Sequence, residues 1–298
     1  MAFSIVKKPK MADPASFSPK YLLHAHLINE REARSYSKVH ASDLMSSRDE
    51  FCPREYALGL KYKNPRRSEK IATAQQVVFD YGYAVEDLIR NWFADMGRAV
   101  GDWECRACGT MAFGQRRPTK CKCGSKGFEY REITFKSTKS AVTCRPDLLL
   151  DFGRPKLTLI ETKSLDKEEF KKLVAPIAEH RWRTNLYMRI VSESDHPLAD
   201  KIDTADAYVI YLTKGGYGYQ DEQLRRWKLL DGDFSPFKEF EVKRDDSQTD
   251  ELLERATLIQ HYKKTGEVPL GICPTSLVKR AKYCRQSEHC WSAKEMPS

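Results

Sequence analysis

The sequence predicts an α/β protein in which strands and helices pack around one hydrophobic core. Residues 145–164 predict a β-hairpin, because two apolar runs are separated by a Gly-Arg-Pro turn. Residues 205–213 form a further apolar run with the composition of a strand. Residues 73–96 and 248–264 predict helices, because their apolar residues recur with a helical period. The 298-residue chain, 41% hydrophobic, is long enough to bury such a core.

Three charged residues interrupt the apolar hairpin at 145–164, namely Asp147, Glu161 and Lys163. Burying a charge is costly unless it is paired or bound to a metal ion. Two carboxylates beside a lysine therefore favour a site for a hard divalent cation. The alternative is an ordinary hairpin with charged edges, since short motifs of this kind also arise by chance.

The register of the hairpin decides whether these charges can meet. Glu161 and Lys163 are two residues apart and so share one face of their strand. Asp147 joins that face only if it lies opposite Glu161, which requires a five-residue loop at 152–156 or a bulge. A four-residue loop would instead place Asp147 opposite Thr162. We therefore predict the register in which Asp147 lies opposite Glu161.

Composition and charge limit the functional classes. No apolar run approaches the roughly 20 residues of a transmembrane helix, and the N-terminus lacks the apolar stretch of a secretory signal. We therefore expect a cytoplasmic protein without a membrane partner. The 51 basic and 42 acidic residues give a net charge of +9, which favours a polyanionic partner such as nucleic acid.

Nine cysteines in a chain without a secretory signal indicate metal ligands rather than disulfides. Four of them form a C-x2-C-x12-C-x1-C pattern, with glycines after the second and fourth cysteines, and four thiolates suit tetrahedral Zn²⁺. The predicted zinc ligands are Cys105, Cys108, Cys121 and Cys123. Basic residues surround them, either to contact DNA or as the solvated face of a structural staple.

Four further cysteines are far apart in the sequence. They are Cys52, Cys273, Cys284 and Cys290. Chemistry alone allows a second zinc site or a [4Fe–4S] cluster for this set. The ninth, Cys144, is expected to be a small core residue.

Two predicted helices carry polar residues on one stripe. Gly82 and Glu86 are four residues apart, so Gly82 would let another backbone approach and Glu86 would reach a site that faces the stripe. In a helix after the hairpin, His180, Arg183 and Tyr187 share a stripe. A solvated surface position is the alternative for both Glu86 and Arg183.

The order of these features resembles that of the PD-(D/E)XK nucleases and, among them, the RecB-like nucleases. The Pro-Asp at 146–147 and the Glu-Thr-Lys at 161–163 resemble the superfamily core. The Gly-x-x-x-Glu at 82–86 resembles the helix that precedes it. The His-x-x-Arg-x-x-x-Tyr at 180–187 resembles the helix that follows, with Arg183 in place of the family's Gln.

The cysteines extend the resemblance. One cysteine before the core and three near the C-terminus resemble the iron–sulfur nucleases, which include AddB-type helicase–nucleases and CRISPR-adaptation exonucleases. In those proteins a cluster joins the two ends of the domain. The C-terminal spacing of ten and then five residues is looser than the family's C-x2-C-x5-C. Residues 103–130 resemble a zinc ribbon inserted before the hairpin.

The resemblance implies a restriction-endonuclease-like fold, a mixed central sheet flanked by helices, and a set of roles for the site. Lys163 would orient the attacking water and the phosphate, while Arg183 and Tyr187 would position the DNA strand. The implied ligands of Mg²⁺ or Mn²⁺ are Glu86, Asp147, Glu161 and the carbonyl of Thr162. The implied ligands of the [4Fe–4S] cluster are Cys52, Cys273, Cys284 and Cys290.

These implications define the expected organisation and function. We expect an N-terminal arm at 1–40 and a nuclease domain at 41–298, with the zinc ribbon at 103–130 inserted in it. The function would be a Mg²⁺- or Mn²⁺-dependent deoxyribonuclease, an exonuclease acting on DNA ends or single strands. It would serve recombination, repair or phage DNA processing in a bacterial or phage-infected cell, with a helicase, recombinase or single-strand-binding protein as partner. The alternatives are a non-catalytic DNA-binding accessory protein and a metal-containing RNA-processing factor.

Overall fold

A computed structural model gives the structure of the chain. It describes the following residues: 23, 26–27, 36–46, 51–63, 73–215, 218–221, 226–229 and 235–292. Most of the predicted N-terminal arm lies outside this part, including most of residues 21–34, for which the sequence also suggests a helix. Within it, no helix combines the length and the apolar character needed to cross a membrane.

The described part of the chain contains eight α-helices. They are α1 (Ala41–Ser46), α2 (Pro53–Lys61), α3 (Thr73–Asp95), α4 (Lys167–Lys172), α5 (Ala178–Ser192), α6 (Asp250–Thr265), α7 (Lys279–Tyr283) and α8 (Ser287–Cys290).

It also contains twelve β-strands. They are β1 (Val39–His40), β2 (Ala99–Cys105), β3 (Met111–Arg116), β4 (Phe128–Arg131), β5 (Phe135–Lys136), β6 (Val142–Cys144), β7 (Leu148–Leu150), β8 (Leu157–Leu165), β9 (Ile202–Thr213), β10 (Gly218–Asp221), β11 (Arg226–Leu229) and β12 (Phe237–Lys243).

Seven strands form the central sheet, in the order β12-β9-β8-β7-β2-β3, with β4 also paired to β2. The β8–β9 pair is parallel, whereas the other neighbours are antiparallel, so the sheet is mixed. Helix α5 packs against β9, and α3 packs against β8. The predicted α/β class, a mixed sheet flanked by helices, is confirmed.

The two faces of the central sheet bury alternate residues of each strand. Leu149 and Leu159 belong to the cluster that contains the buried residues of α5. Leu148 and Ile160 belong to the cluster that includes Ala94 near the end of α3. Because Glu161 shares the face of Leu159, the charged residues of β8 point to the side covered by α5.

The predicted hairpin register is confirmed. Leu148 pairs with Ile160, and Leu150 pairs with Thr158. One step beyond this ladder, Asp147 lies opposite Glu161. The turn that sets the register contains Gly153 with a φ of 75°, a conformation that side chains with a Cβ rarely adopt.

Several elements outside the hairpin match the sequence prediction. The strand expected at 205–213 lies beside β8, and residues 237–242 form the edge strand β12. Pro176, which by its sequence context either opens a helix or kinks one, precedes α5. The helix predicted at 248–264 buries the expected residues, namely Leu252, Leu253, Ala256 and Ile259.

The alternating pattern of residues 132–143 predicts one strand that leads towards Asp147, and this prediction is wrong. The segment instead contributes to two short strands, β5 and β6, and β6 lies between β5 and β1 in a separate three-stranded sheet. The turn between them contains Ala141 with a φ of 55°, which breaks the extended conformation. The loop expected at 214–219 is only partly described, because residues 216–217 lie outside the described part and Gly218 begins β10.

The apolar pattern of α3 predicts more buried residues than the structure shows. Val85 and Ile89 are buried, but most of the other apolar residues remain 41–57% exposed, namely Val77, Val78, Tyr81, Leu88 and Trp92. Gly82 does not bring another backbone close, because no described atom lies within 4 Å of the position that a Cβ would take. That part of the prediction is wrong.

Two glycine substitutions test the backbone interpretation with the same added methyl group. Gly153→Ala should lower the free energy of unfolding by about 1 kcal/mol, because its left-handed conformation disfavours a Cβ. Gly82→Ala should raise it by roughly 0.5–1 kcal/mol, because the residue is helical and the added methyl has space. Urea denaturation measures both; equal effects would contradict the assignment of strain to Gly153.

Candidate metal and catalytic site

The ammonium of Lys163 lies among three groups that the sequence assigns to a metal ion. Its Nζ is 2.7 Å from Glu161 Oε1 and 3.6 Å from Asp147 Oδ2. It also donates a hydrogen bond of 2.8 Å to the carbonyl of Thr162. Three of the four predicted metal ligands therefore already surround a positive charge.

Asp147 is held by the backbone of the facing strand. Its Oδ2 accepts hydrogen bonds from the backbone N–H of Thr162 at 2.7 Å and from the Thr162 hydroxyl at 3.2 Å. Burial raises the pKa of Asp147, but Lys163 and the Thr162 N–H outweigh it and hold the pKa below its ordinary value. Asp147 is therefore a fixed, ionised carboxylate.

Glu161 is the most deeply buried acid of the site, with 1% of its surface exposed. Its Oε1 contacts Lys163 and lies 3.7 Å from Arg183 Nη1, whereas its Oε2 is buried without a hydrogen-bond partner. Burial, followed by the charge of Asp147, raises the pKa of Glu161 to about 7. A buried oxygen without a donor is unusual and is suited to a cation.

Two further acids complete a group around Asp147. Glu86 comes from α3 and Glu132 directly follows β4, and one carboxylate oxygen from each of the three residues lies within 4.8 Å of the others. Burial, followed by the charge of Asp147, raises the pKa of Glu86 to about 7. Sequence reasoning placed Glu86 here but missed Glu132, which no motif marks.

Arg90 neutralises much of this acidic group and was also missed. Its guanidinium forms ion pairs with Glu132 and, at 3.6 Å, with Glu86. Its Nε donates a 3.1 Å hydrogen bond to the carbonyl of Asp147, and its Cζ lies 5.7 Å from the Tyr130 ring centroid. An arginine four residues after a glutamate is typical of an ordinary surface ion pair, so the sequence pattern does not mark Arg90 as functional.

The α5 helix brings the predicted basic and aromatic residues to the same centre. Arg183 pairs with Glu161 and, at 2.9 Å, with Glu179, so it is not a free surface charge. Tyr187 is 8% exposed, and its pKa is raised by burial and by the charges of Glu161 and Asp147.

His180 shares a hydrogen bond of 2.9 Å with the Tyr211 hydroxyl, and its pKa is lowered to about 3. Burial is the first cause, followed by the charges of Lys163 and Arg183. The imidazole is therefore uncharged at neutral pH.

The four predicted zinc ligands converge. Cys105 Sγ is 3.6 Å from Cys123 Sγ, and Cys108 Sγ is 3.6 Å from Cys121 Sγ. All four sulfur atoms lie within 4.8 Å of one another. Zinc–sulfur bonds of about 2.3 Å in a tetrahedron separate the sulfur atoms by about 3.8 Å, so the spacing fits Zn²⁺.

The other four predicted ligands line one cavity of about 170 Å³. They are Cys52, Cys273, Cys284 and Cys290. No three of their sulfur atoms lie within 4.8 Å of one another, so they are more widely spaced than the zinc-type set. Arg54 Nε donates to Cys290 Sγ at 3.3 Å, and Arg280 Nη1 lies 3.8 Å from Cys273 Sγ. The fold thus joins the start of α2 to the C-terminal segment.

No family model and no curated protein matches the chain. Among solved structures, it is similar to LHK-Exo in complex with dAMP, with 14% identity, a TM-score of 0.42 and coverage of 77% of this chain and 89% of that chain. A second structure, of the alkaline exonuclease LHK-Exo from Laribacter hongkongensis, gives 11% identity, a TM-score of 0.42 and coverage of 78% and 90%. The structure of SSO0001 gives 15% identity, a TM-score of 0.33 and coverage of 93% and 95%. At this level of similarity, the proposals below rest on the geometry of the site.

The raised pKa values predict a pH dependence of stability in EDTA. Glu86 and Glu161 titrate near 7 in the folded protein but near their ordinary value of 4.5 when unfolded. Between these two pH values the folded state keeps protons that the unfolded state has lost, so stability falls as pH rises from 4.5 to 7. In the double variant Glu86→Gln/Glu161→Gln, the part of the fall in melting temperature between pH 4.5 and 7 that these two carboxylates cause should be absent.

The control for this measurement is Glu254→Gln, which changes an exposed carboxylate of α6. Its melting temperature should follow the wild-type profile across pH 4.5 to 8. If the double variant kept the wild-type profile, ionisation of Glu86 and Glu161 would not be what destabilises the folded state as the pH rises.

Proposed function

We propose that the chain is a divalent-metal-dependent deoxyribonuclease whose active site is built on Asp147, Glu161 and Lys163. The observation that supports this most strongly is the register of the β7–β8 hairpin. It brings two buried carboxylates to one lysine ammonium inside the central sheet. Burying two like charges does not stabilise a hairpin that has only a structural role. In metal-assisted hydrolysis, such a pair of carboxylates serves to hold the metal ion.

The donor set fits Mg²⁺ or Mn²⁺. All the candidate ligand atoms are oxygens, which hard divalent cations prefer. The unpaired Oε2 of Glu161 is a buried acceptor suited to an ion. The ligands that we propose are Glu86, Asp147, Glu161 and the carbonyl of Thr162, to which the structure adds Glu132 as a neighbour. When bound, the ion would lower the pKa of a bound water molecule and neutralise charge on the scissile phosphate.

The basic residues of the site would bind and orient the substrate. Lys163 keeps its proton, because Asp147 and Glu161 outweigh the effect of burial and raise its pKa above the ordinary value. Its ammonium can therefore contact a phosphate oxygen and orient the attacking water. Arg183 can hold a phosphate through two parallel hydrogen bonds, which the family's glutamine cannot do. Buried Tyr187 would support Arg183 on α5.

The proposal extends to an exonuclease that acts on DNA ends or single strands. Its basis is the order of the sequence motifs together with the net charge of +9. Such an enzyme would serve recombination, repair or phage DNA processing beside a helicase, recombinase or single-strand-binding protein.

One observation favours a second candidate, a non-catalytic DNA-binding accessory protein. Arg183 lies 3.7 Å from Glu161 and adds a positive charge that opposes a second cation at that carboxylate. In this case the same fold would bind DNA without cleaving it. The assay below separates the two candidates.

We also propose that the two cysteine sets hold different metals. The close set at Cys105, Cys108, Cys121 and Cys123 fits Zn²⁺, because its sulfur atoms have the spacing of a zinc tetrahedron. The wider set around the cavity fits a [4Fe–4S] cluster, whose ligands bind separate iron atoms and therefore stand farther apart. The cluster would close the domain by linking the start of α2 to the C-terminal segment.

Active-site substitutions test the catalytic proposal. Glu161→Ala and Lys163→Ala should lower the rate of DNA cleavage with Mn²⁺ by on the order of 10²–10³-fold or more. DNA binding without added Mg²⁺ or Mn²⁺ should stay within a few-fold of the wild type, because each variant removes at most one phosphate contact. Glu161→Gln keeps the side-chain volume and should show the same loss of cleavage. It replaces Glu161→Ala in the assay if that variant folds poorly.

The matched control is Lys171→Ala, which removes an exposed lysine of α4 and should leave cleavage unchanged. Cleavage that persists in both Glu161→Gln and Lys163→Ala would refute the site assignment. A wild-type protein that binds DNA but does not cleave it with Mg²⁺ or Mn²⁺ would support the accessory protein.

Metal analysis tests the two cysteine sets against each other. Protein purified without oxygen should contain zinc and iron and show an absorption band near about 400 nm that dithionite bleaches. Cys52→Ser should lose iron and keep zinc, and Cys121→Ser should lose zinc and keep iron. Loss of the same metal from both variants would contradict the assignment of two separate sites.

A further inference from the structure

The segment between Cys105 and Gly127 has an unusually one-sided charge. It contains six basic residues and no acidic residue. The basic residues are Arg106, Arg116, Arg117, Lys120, Lys122 and Lys126. Four thiolates with one Zn²⁺ carry a charge of −2, so the segment stays positive with the ion in place.

Two of these six residues tie the segment to the rest of the fold. Arg116 pairs with Asp151 at 2.6 Å, and Arg117 pairs with Asp95 at 2.7 Å. The other four form no ion pair with any described residue, and their side chains are exposed. They are Arg106, Lys120, Lys122 and Lys126, which we call the tip cations.

The cysteines gather the tip cations into a small region. Arg106 follows Cys105, Lys120 and Lys122 flank Cys121, and Lys126 is three residues after Cys123. The four sulfur atoms lie within 4.8 Å of one another, so the attached backbone converges as well. The N–H of Arg106 also donates a 3.0 Å hydrogen bond to the carbonyl of Gly127, which joins the two halves.

The same segment is continuous with the proposed active site. Cys105 ends β2 and pairs with Phe128, the first residue of β4. Glu132, one of the three clustered acids, directly follows β4. At about 3.3 Å per strand residue, the base of the tip lies on the order of 13 Å from that acid.

We propose that the tip cations form a second nucleic-acid contact, which binds backbone phosphates of the strand that enters the active site. This inference rests on the proposed function, because the acids to which β4 leads mark where that strand is cleaved. At about 3.4 Å per nucleotide, a separation of about 13 Å between the base of the tip and that acid places the tip cations about four or more nucleotides from the scissile phosphate. The contact carries no base specificity, since lysine and arginine at exposed positions bind phosphates.

The test is the salt dependence of DNA binding, measured by fluorescence anisotropy without added Mg²⁺ or Mn²⁺, so that the zinc ion stays in place. A quadruple variant, Arg106→Gln/Lys120→Gln/Lys122→Gln/Lys126→Gln, is compared with the wild type on a 30-nucleotide DNA. The slope of log Kd against log salt should fall by about 2–4, because each lost phosphate contact removes roughly one counterion. If the quadruple variant folds poorly, the charge-reversal variant Lys122→Glu/Lys126→Glu replaces it in this test and should also lower the slope.

The matched control is Lys171→Gln/Lys201→Gln/Lys243→Gln/Lys264→Gln, which removes four exposed charges outside the segment. It should keep the wild-type slope. Zinc content and melting temperature should be unchanged in both sets. On a four-nucleotide DNA, the tip variants and the wild type should bind alike, because such a strand cannot reach both sites.

A tip variant with the same slope as the control would overturn the proposal. So would tip-dependent binding to phosphatidylserine vesicles without binding to DNA, since the partner would then be a membrane surface. Because binding is measured without added Mg²⁺ or Mn²⁺, the result is independent of cleavage. Tip-dependent DNA binding in a protein that does not cleave DNA would refute the proposed function and leave this contact standing.

Discussion

The structure depends on the charge balance around one buried lysine. Lys163 compensates two carboxylates that the hairpin register forces onto the same face of the central sheet. Four acids meet here, contributed by Glu86, Glu132, Asp147 and Glu161, and four cations pair with them, namely Arg90, Arg145, Lys163 and Arg183. Burial, followed by the charge of Asp147, raises the pKa of Glu86 and Glu161, and Glu161 keeps a buried oxygen without a hydrogen-bond partner. A divalent cation bound to the same oxygens would stabilise their ionised forms.

Sequence reasoning predicted the centre of the fold because its constraints are local. Side chains alternate along strands, so the charges at Asp147 and Glu161 permitted only one useful register. Close cysteine spacing likewise predicted the four-sulfur group. Arg90 and Glu132 could not be found in this way, because their roles come from the packing of α3 against β8 and from the pairing of β4 with β2. The same limit applies to α3, whose apolar pattern is wider than the surface that the sheet covers.

The two cysteine sets differ in their spatial arrangement, whereas their chemistry was left open by the sequence. Spacing along the chain allowed zinc or an iron–sulfur cluster for Cys52 and its three C-terminal partners. In space, one set of sulfur atoms is compact and the other surrounds a cavity. The two sets also lie at different places in the fold. One is connected through β4 to Glu132, and the other joins the start of α2 to the C-terminal segment.

The most direct test of the proposed active site is the location of a bound metal ion. Crystals of the protein soaked in Mn²⁺ should show an anomalous difference peak within about 2.6 Å of carboxylate oxygens of Asp147 and Glu161. The ammonium of Lys163 should move away from the carbonyl of Thr162 to make room for the ion. A map without a peak at these carboxylates, with Lys163 still bound to Glu161 at saturating Mn²⁺, would contradict a metal-dependent active site in this hairpin.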